Sequence, residues 1–174
     1  LFLRCVLCLI GMFLYACGVI LTKNCDLGIS PITSVAYAMS LISGISLGWC
    51  TSLFNIALFI LQKALLRSQY TWRTLLAQVG MSILFSIFID SAGILLGGVC
   101  PSAYASRIVL FVFGCFLLAV GMNLILHAQF VILPAEGAVA AIQNKSGLSF
   151  GTTKIAFDAV MVLITSVLTI VFLH

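Results

Sequence analysis

The chain has 174 residues, of which 63% are hydrophobic and only 7% charged, with Lys+Arg 8 against Asp+Glu 4. A soluble domain is about a quarter charged, and a chain with a mean hydropathy of +1.31 has too few polar groups to cover a water-facing surface. This excludes a soluble globular enzyme, a disordered chain and a nucleic-acid module, and leaves an all-α polytopic membrane protein. The net charge of +4 then marks loops on the cytoplasmic side.

The apolar run 1–21, with Arg4 near its start, is long enough to cross a bilayer core of about 30 Å. It lacks a cleavage site, so it reads as a first transmembrane helix that misses a few residues at its start. A polar break through Lys23, Asn24, Asp26 and Gly28 leads to a short segment, 31–43. Pro31 suits the first helical turn and Ser30 the cap before it. A helix of that length covers only about 20 Å, the range of a re-entrant or broken helix. Full spans follow at 48–66 and 75–96, the latter carrying Asp90, with Lys63, Arg67 and Arg73 between them. After Arg107 come a span at 108–126, a second short segment at 134–144 and a last span at 148–173.

The second half repeats the first at an offset of 103 residues without a gap. Arg4 falls on Arg107, Gly11 on Gly114, Gly18 on Gly121, Pro31 on Pro134, and Phe54 on Phe157; from Arg4 to Phe54 there are 17 identities in 51 positions. Compositional bias alone gives about a tenth to an eighth. The repeats divide the chain at 1–98 and 99–174. Continued past its end, the repeat places a counterpart of 75–96 beyond residue 174, so a final helix is expected to be lacking, unless the natural chain simply has one fewer. Each short segment ends in Gly-x-Ser-x-Gly, at Gly44 to Gly48 and Gly147 to Gly151. No strand precedes it and its Ser has no paired His, so it is not a hydrolase elbow; the glycines suit a tight turn or close helix approach.

Two topologies compete. If the short segments cross, the repeats are parallel and Lys23, Lys63, Arg67 and Arg73 lie outside. If they re-enter, the repeats are inverted, with Arg4, Lys63, Arg67, Arg73 and Lys145 inside against Lys23 and Arg107 outside. The positive-inside rule favours the second, although Arg4 and Arg107 then face opposite sides.

Gly18, Leu27-Gly28-x-x-Pro31 and Ser43-Gly44-x-Ser46-x-Gly48, with the second copy Pro134-Ala135-Glu136-Gly137, resemble the YczE/YyaS/YitT family of bacterial integral membrane proteins. The family's Trp-Asp after the first Pro is replaced here by Ile32 and Thr33, whereas Glu136 keeps the acid in the second copy. Lys154 and Asp158 resemble the family's basic–acidic pair with Lys for Arg. The family's further Gly-Thr helix is absent. The resemblance implies a multi-pass protein of the bacterial cytoplasmic membrane with a suspected transport role.

Paired, Pro-interrupted short segments are a sequence pointer to a transporter's central site. Helix starts at Pro31 and Pro134 would aim N–H groups at a ligand, with Ser30 and Thr33 adding hydroxyls, which favours a small polar or anionic solute. Glu136 can cap its own helix or serve as a proton or cation coupling site. Lys154 and Asp158, four apart, can pair; Asn55 occupies the Asp158 position of the first copy. Asn123 and His127 can line the same cavity or make an interhelical bond. The candidate solute-binding set is therefore Ser30, Thr33, Asn55, Asn123, Glu136, Lys154 and Asp158, with Glu136 and Asp158 as coupling groups. Gly28, Pro31, Gly44, Gly48, Pro134, Gly147 and Gly151 are structural. Tyr37, Trp49, Tyr70, Trp72 and Tyr104 read as interfacial anchors.

No metal, cofactor or catalytic set is expected: the seven cysteines include only an isolated Cys5-x-x-Cys8, and no P-loop or metal-binding motif occurs. The partners are the lipid bilayer and a small solute, and the size is compatible with a homodimer. Alternatives to a transporter are a membrane-embedded binding subunit of a multi-component transporter, or a non-transporting scaffold or regulator.

Overall fold

The computed structural model describes residues 2–66, 71–128 and 133–172. Leu1, Arg67, Tyr70, Leu173 and His174 of the reading above lie outside them. The described chain is all-helical: α1 (Phe2–Asn24), α2 (Pro31–Ser43), α3 (Leu47–Leu66), α4 (Trp72–Leu96), α5 (Tyr104–Ala128), α6 (Pro134–Ser146) and α7 (Phe150–Phe172). Five of these are long and apolar enough to cross a membrane, whereas α2 and α6 have 13 residues each. The protein is a multi-pass integral membrane protein. α1, α4 and α5 exceed the expected spans by a few polar or aromatic residues, since an α-helix continues until a cap or breaker stops it, whereas α3 gains only Leu47 and α7 begins at Phe150, two residues later than expected. Trp49, Trp72 and Tyr104 sit in first helical turns and are 67%, 70% and 69% exposed. Tyr37 instead lies in the middle of α2, away from either end of that helix.

Two compact units form. The first comprises Leu1–Ile29 and Leu84–Phe130, the second Ser30–Ile83 and Val131–His174. Each takes one segment from each half of the sequence, so neither half folds as a separate body.

In the first unit α1 and α5 pack along their length. Glycines let the backbones approach, as in small-residue membrane crossings. A Cβ added at Gly121 would lie 2.6 Å from the Tyr15 backbone N and 2.7 Å from the Gly11 carbonyl. One at Gly18 would lie 2.8 Å from the Gly114 carbonyl. Gly11 thus meets Gly121 while Gly18 meets Gly114, so the two helices run antiparallel. Polar groups at one end agree. Asp26 lies 3.9 Å from Arg107, and Asn24 donates to the Leu96 carbonyl at the C-terminal end of α4. Rings of α1 and α4 add Phe13–Phe88 and Tyr15–Phe85 contacts, with centroids 5.8 and 5.6 Å apart.

In the second unit α2 packs on α7 and α3 on α6, and each short helix also packs on the long helix that follows it. Val35, Phe54, Leu58, Ala135, Ala138, Val139, Phe157 and Met161 form its core. Polarity is inverted relative to a soluble protein. Ile155, Leu163 and Ile170 are exposed, whereas Asn55, Gln62, Gln78, Ser82 and Thr153 are buried. Lipid solvates the first set, and the second can find hydrogen-bond partners only inside.

The glycine crossing yields a testable expectation. Gly121→Ala should destabilise the protein by about 1–3 kcal/mol, the usual cost of overpacking. Gly80→Ala, on an α4 face with nothing near the new methyl, should be neutral or stabilising by up to about 1 kcal/mol. Unfolding of the two variants in detergent measures the difference.

Candidate functional site

Both short helices start and stop by local chemistry. Pro31 and Pro134 occupy the first helical position, where the missing N–H is no loss. At their far ends Gly44 (φ 70) and Gly147 (φ 71) adopt the left-handed conformation, which glycine enters without a Cβ penalty. Their N–H groups donate to the Ser40 and Gln143 carbonyls at 2.9 Å each. The Ser of each Gly-x-Ser-x-Gly has a role that the motif alone did not disclose. Ser46 Oγ accepts from Trp49 N at 3.4 Å and Ser149 Oγ from Thr152 N at 3.2 Å. These serines are therefore N-caps of α3 and α7. Gly28 (φ 137) turns the chain between α1 and α2. Gly48 and Gly151 sit in first helical turns, and Gly151 has nothing within 4 Å of where a Cβ would lie, so it serves no close approach there.

The first turns of α2 and α6 are then anchored by side chains from long helices, which sequence reasoning missed. Gln62 on α3 donates to the Pro134 carbonyl at 3.0 Å and accepts from Gln78 at 3.3 Å. A Cβ at Gly137 would lie 2.7 Å from Gln62 Oε1, so the glycine makes room for this amide. On the other side Ser34 Oγ donates to the Pro31 carbonyl at 2.7 Å and lies 2.8 Å from Thr165 Oγ1 on α7. Adding the offset of 103 carries Gln62 to Thr165, Pro31 to Pro134 and Ser34 to Gly137. The two anchors occupy matching positions, and that register was the available signal.

Six of the seven candidate solute-binding residues lie in the second unit: Ser30, Thr33, Asn55, Glu136, Lys154 and Asp158. Ser30 caps α2, accepting from Thr33 N at 3.4 Å, and its hydroxyl lies 2.9 Å from that of Thr33. Asn55, buried, donates to Ser82 Oγ at 2.9 Å. Lys154 Nζ donates to Asp158 Oδ1 at 2.8 Å, the i,i+4 pair expected. Leu133 before α6 offers no side-chain cap, and Glu136 lies half-buried in the first turn of that helix. Asn123 belongs to the first unit and is exposed, its carbonyl 3.0 Å from His127 Nδ1.

The second unit therefore holds one compensated ion pair and a further carboxylate beside buried amides and hydroxyls. Such a site can bind, orient and exchange an ion. Its chain-wide setting has a family signature. The model of a family of unknown function, DUF6198, matches residues 2–174. The chain belongs to the DUF6198 family. No curated protein and no solved structure matches it.

Removing one amide from the buried pair should be felt. Gln62→Leu removes the donor to the buried Pro134 carbonyl and one acceptor of the Gln78 amide, and should cost about 1–3 kcal/mol, the penalty for losing buried hydrogen bonds. Adding Gln78→Leu should recover part of the loss. A double-mutant cycle by unfolding in detergent tests this, and a purely additive pair would refute the coupling.

Proposed function

We propose that this DUF6198 chain is a small secondary transporter of the bacterial cytoplasmic membrane, built from two inverted repeats around broken helices, and related to the YczE/YyaS/YitT proteins. One observation carries the reading. Asn24 at the end of α1 bonds Leu96 at the end of α4, so both ends lie at one membrane face. Since α4 crosses, its start lies at the opposite face. The chain between α1 and α4 therefore crosses an odd number of times. α3 accounts for one crossing, and α2 consequently returns to the face it left. The antiparallel α1–α5 pair supports the same count.

A helix that re-enters, opened by Pro and closed by a left-handed Gly, is the broken element around which secondary transporters form their sites. Its equivalent, α6, carries Glu136 and packs on α7, which carries the Lys154–Asp158 pair. The solute class is small and polar. At the start of α2, a donor that would favour an anion is engaged by the protein itself, through the Ser30 cap. With basic residues Arg4, Lys63, Arg73 and Lys145 on the cytoplasmic side, the N-terminus is cytoplasmic.

Single cysteines at Lys23, Thr71 and Ser102, on a cysteine-less full-length background, test the arrangement in cells. Lys23→Cys and Ser102→Cys should react with an impermeant reagent from outside, and Thr71→Cys only after the membrane is opened. If Lys23→Cys and Thr71→Cys react from the same face, α2 crosses. The inverted-repeat transporter is then abandoned in favour of a binding subunit or scaffold.

A further inference from the structure

We infer that the groove beside the start of α5 binds one anionic phospholipid, with its phosphate on Arg107 and Ser106 and an acyl chain over Val109, Leu110 and Phe113. This site goes beyond the transporter reading and does not depend on it.

The first unit carries an open groove of about 630 Å³, walled by Val99 and Pro101 after α4 and by Ser106, Val109, Leu110 and Phe113 on α5. Apart from its mouth it is apolar. From Ser106 to Phe113 the helix rises about 10 Å. Asn24 at the end of α1 bonds Leu96 at the end of α4, and α5 begins shortly after, at the exposed Tyr104. Helix ends with an exposed aromatic ring mark the membrane surface. The groove therefore starts at the depth of lipid headgroups and descends into the hydrocarbon region, where an acyl chain matches its walls.

The mouth holds donors that the protein leaves unused. Arg107 Nε donates to the Pro101 carbonyl at 3.0 Å, which ties the guanidinium to the groove wall. The Asp26 carboxylate is 3.9 Å from Nη1, too far for a hydrogen bond. Among the described residues both Nη groups thus keep their donors. Ser106 differs from other hydroxyl residues of the long helices in the same way. Thr22, Thr51 and Thr153 each donate to a carbonyl of their own helix or its cap, whereas the Ser106 hydroxyl has no hydrogen bond among the described residues.

Charge selects the headgroup. In the stretches that meet at the mouth, 22–28 and 96–107, Lys23 and Arg107 stand against Asp26, one positive charge in excess. A phosphodiester accepts two guanidinium N–H groups side by side, and an anionic headgroup cancels the excess. A zwitterionic lipid brings its own cation and leaves the excess in place.

Native mass spectrometry of the full chain in detergent, with equimolar dioleoyl phosphatidylglycerol and dioleoyl phosphatidylcholine, reads the occupant. The wild type should retain one phosphatidylglycerol per chain in preference to phosphatidylcholine. Arg107→Gln should weaken this retention by about tenfold or more, the loss of a charge-assisted hydrogen bond. Val109→Trp, at an exposed position, should fill the groove and abolish it. Asp26→Asn should tighten it, because the phosphate no longer shares Arg107 with a carboxylate; a purely structural Arg107–Asp26 pair would make both substitutions act in the same direction. Glycerol 3-phosphate, a headgroup without chains, should not displace the lipid at equal concentration. Equal retention of the two lipids, or retention unchanged by both Arg107→Gln and Val109→Trp, overturns the site. So does displacement by glycerol 3-phosphate, or a lipid-free dimer of the chain that Val109→Trp dissociates. Helical circular dichroism identifies any variant that has not folded.

Discussion

The antiparallel crossing of α1 and α5 is the constraint from which the rest follows. Gly11 meets Gly121 and Gly18 meets Gly114 at distances that exclude a Cβ. Lipid offers no hydrophobic drive for helices to associate, so close backbone contact must supply the attraction. That contact sets α5 antiparallel to α1 and makes the pair the framework of the first unit.

A short helix packed among apolar helices has to satisfy its own buried terminal groups, because little water is at hand to do so. The chain meets this demand with short local devices. Pro removes a donor at each start, Ser30 takes up another in α2, and a left-handed glycine returns a donor at each stop. Gln62 and the Ser34–Thr165 contact then hold each first turn against a long helix. These polar side chains cost little inside the unit because each has a partner there. Exposed to hydrocarbon they would cost far more.

The two halves share this framework and diverge in charge. Where the first copy carries Thr33, Thr51 and Asn55, the second carries Glu136, Lys154 and Asp158. Hydroxyl and amide groups close their hydrogen bonds locally, as Asn55 does with Ser82. Carboxylates and an ammonium interact over longer distances and must also balance their charge. Both sets lie in the second unit, the neutral one on α2 and α3 and the charged one on α6 and α7.

The sequence by itself determined the elements and their ends. Long apolar runs, Pro starts and Gly stops are local signals. The Lys154–Asp158 pair followed from helical spacing alone, and the offset of 103 from the matching prolines and glycines. Helix partners were not legible. In a chain this apolar every helical face can meet lipid or protein, so periodicity does not mark the side that packs. Only the tertiary structure decided that α2 packs on α7 and α3 on α6, and that each compact unit draws on both halves. It also brought Gln62 to Pro134 across 72 residues and placed Asn123 in the other unit from Glu136. These are long-range contacts, chosen by the fit of glycine surfaces and buried amides, and no local stretch of sequence contains that information.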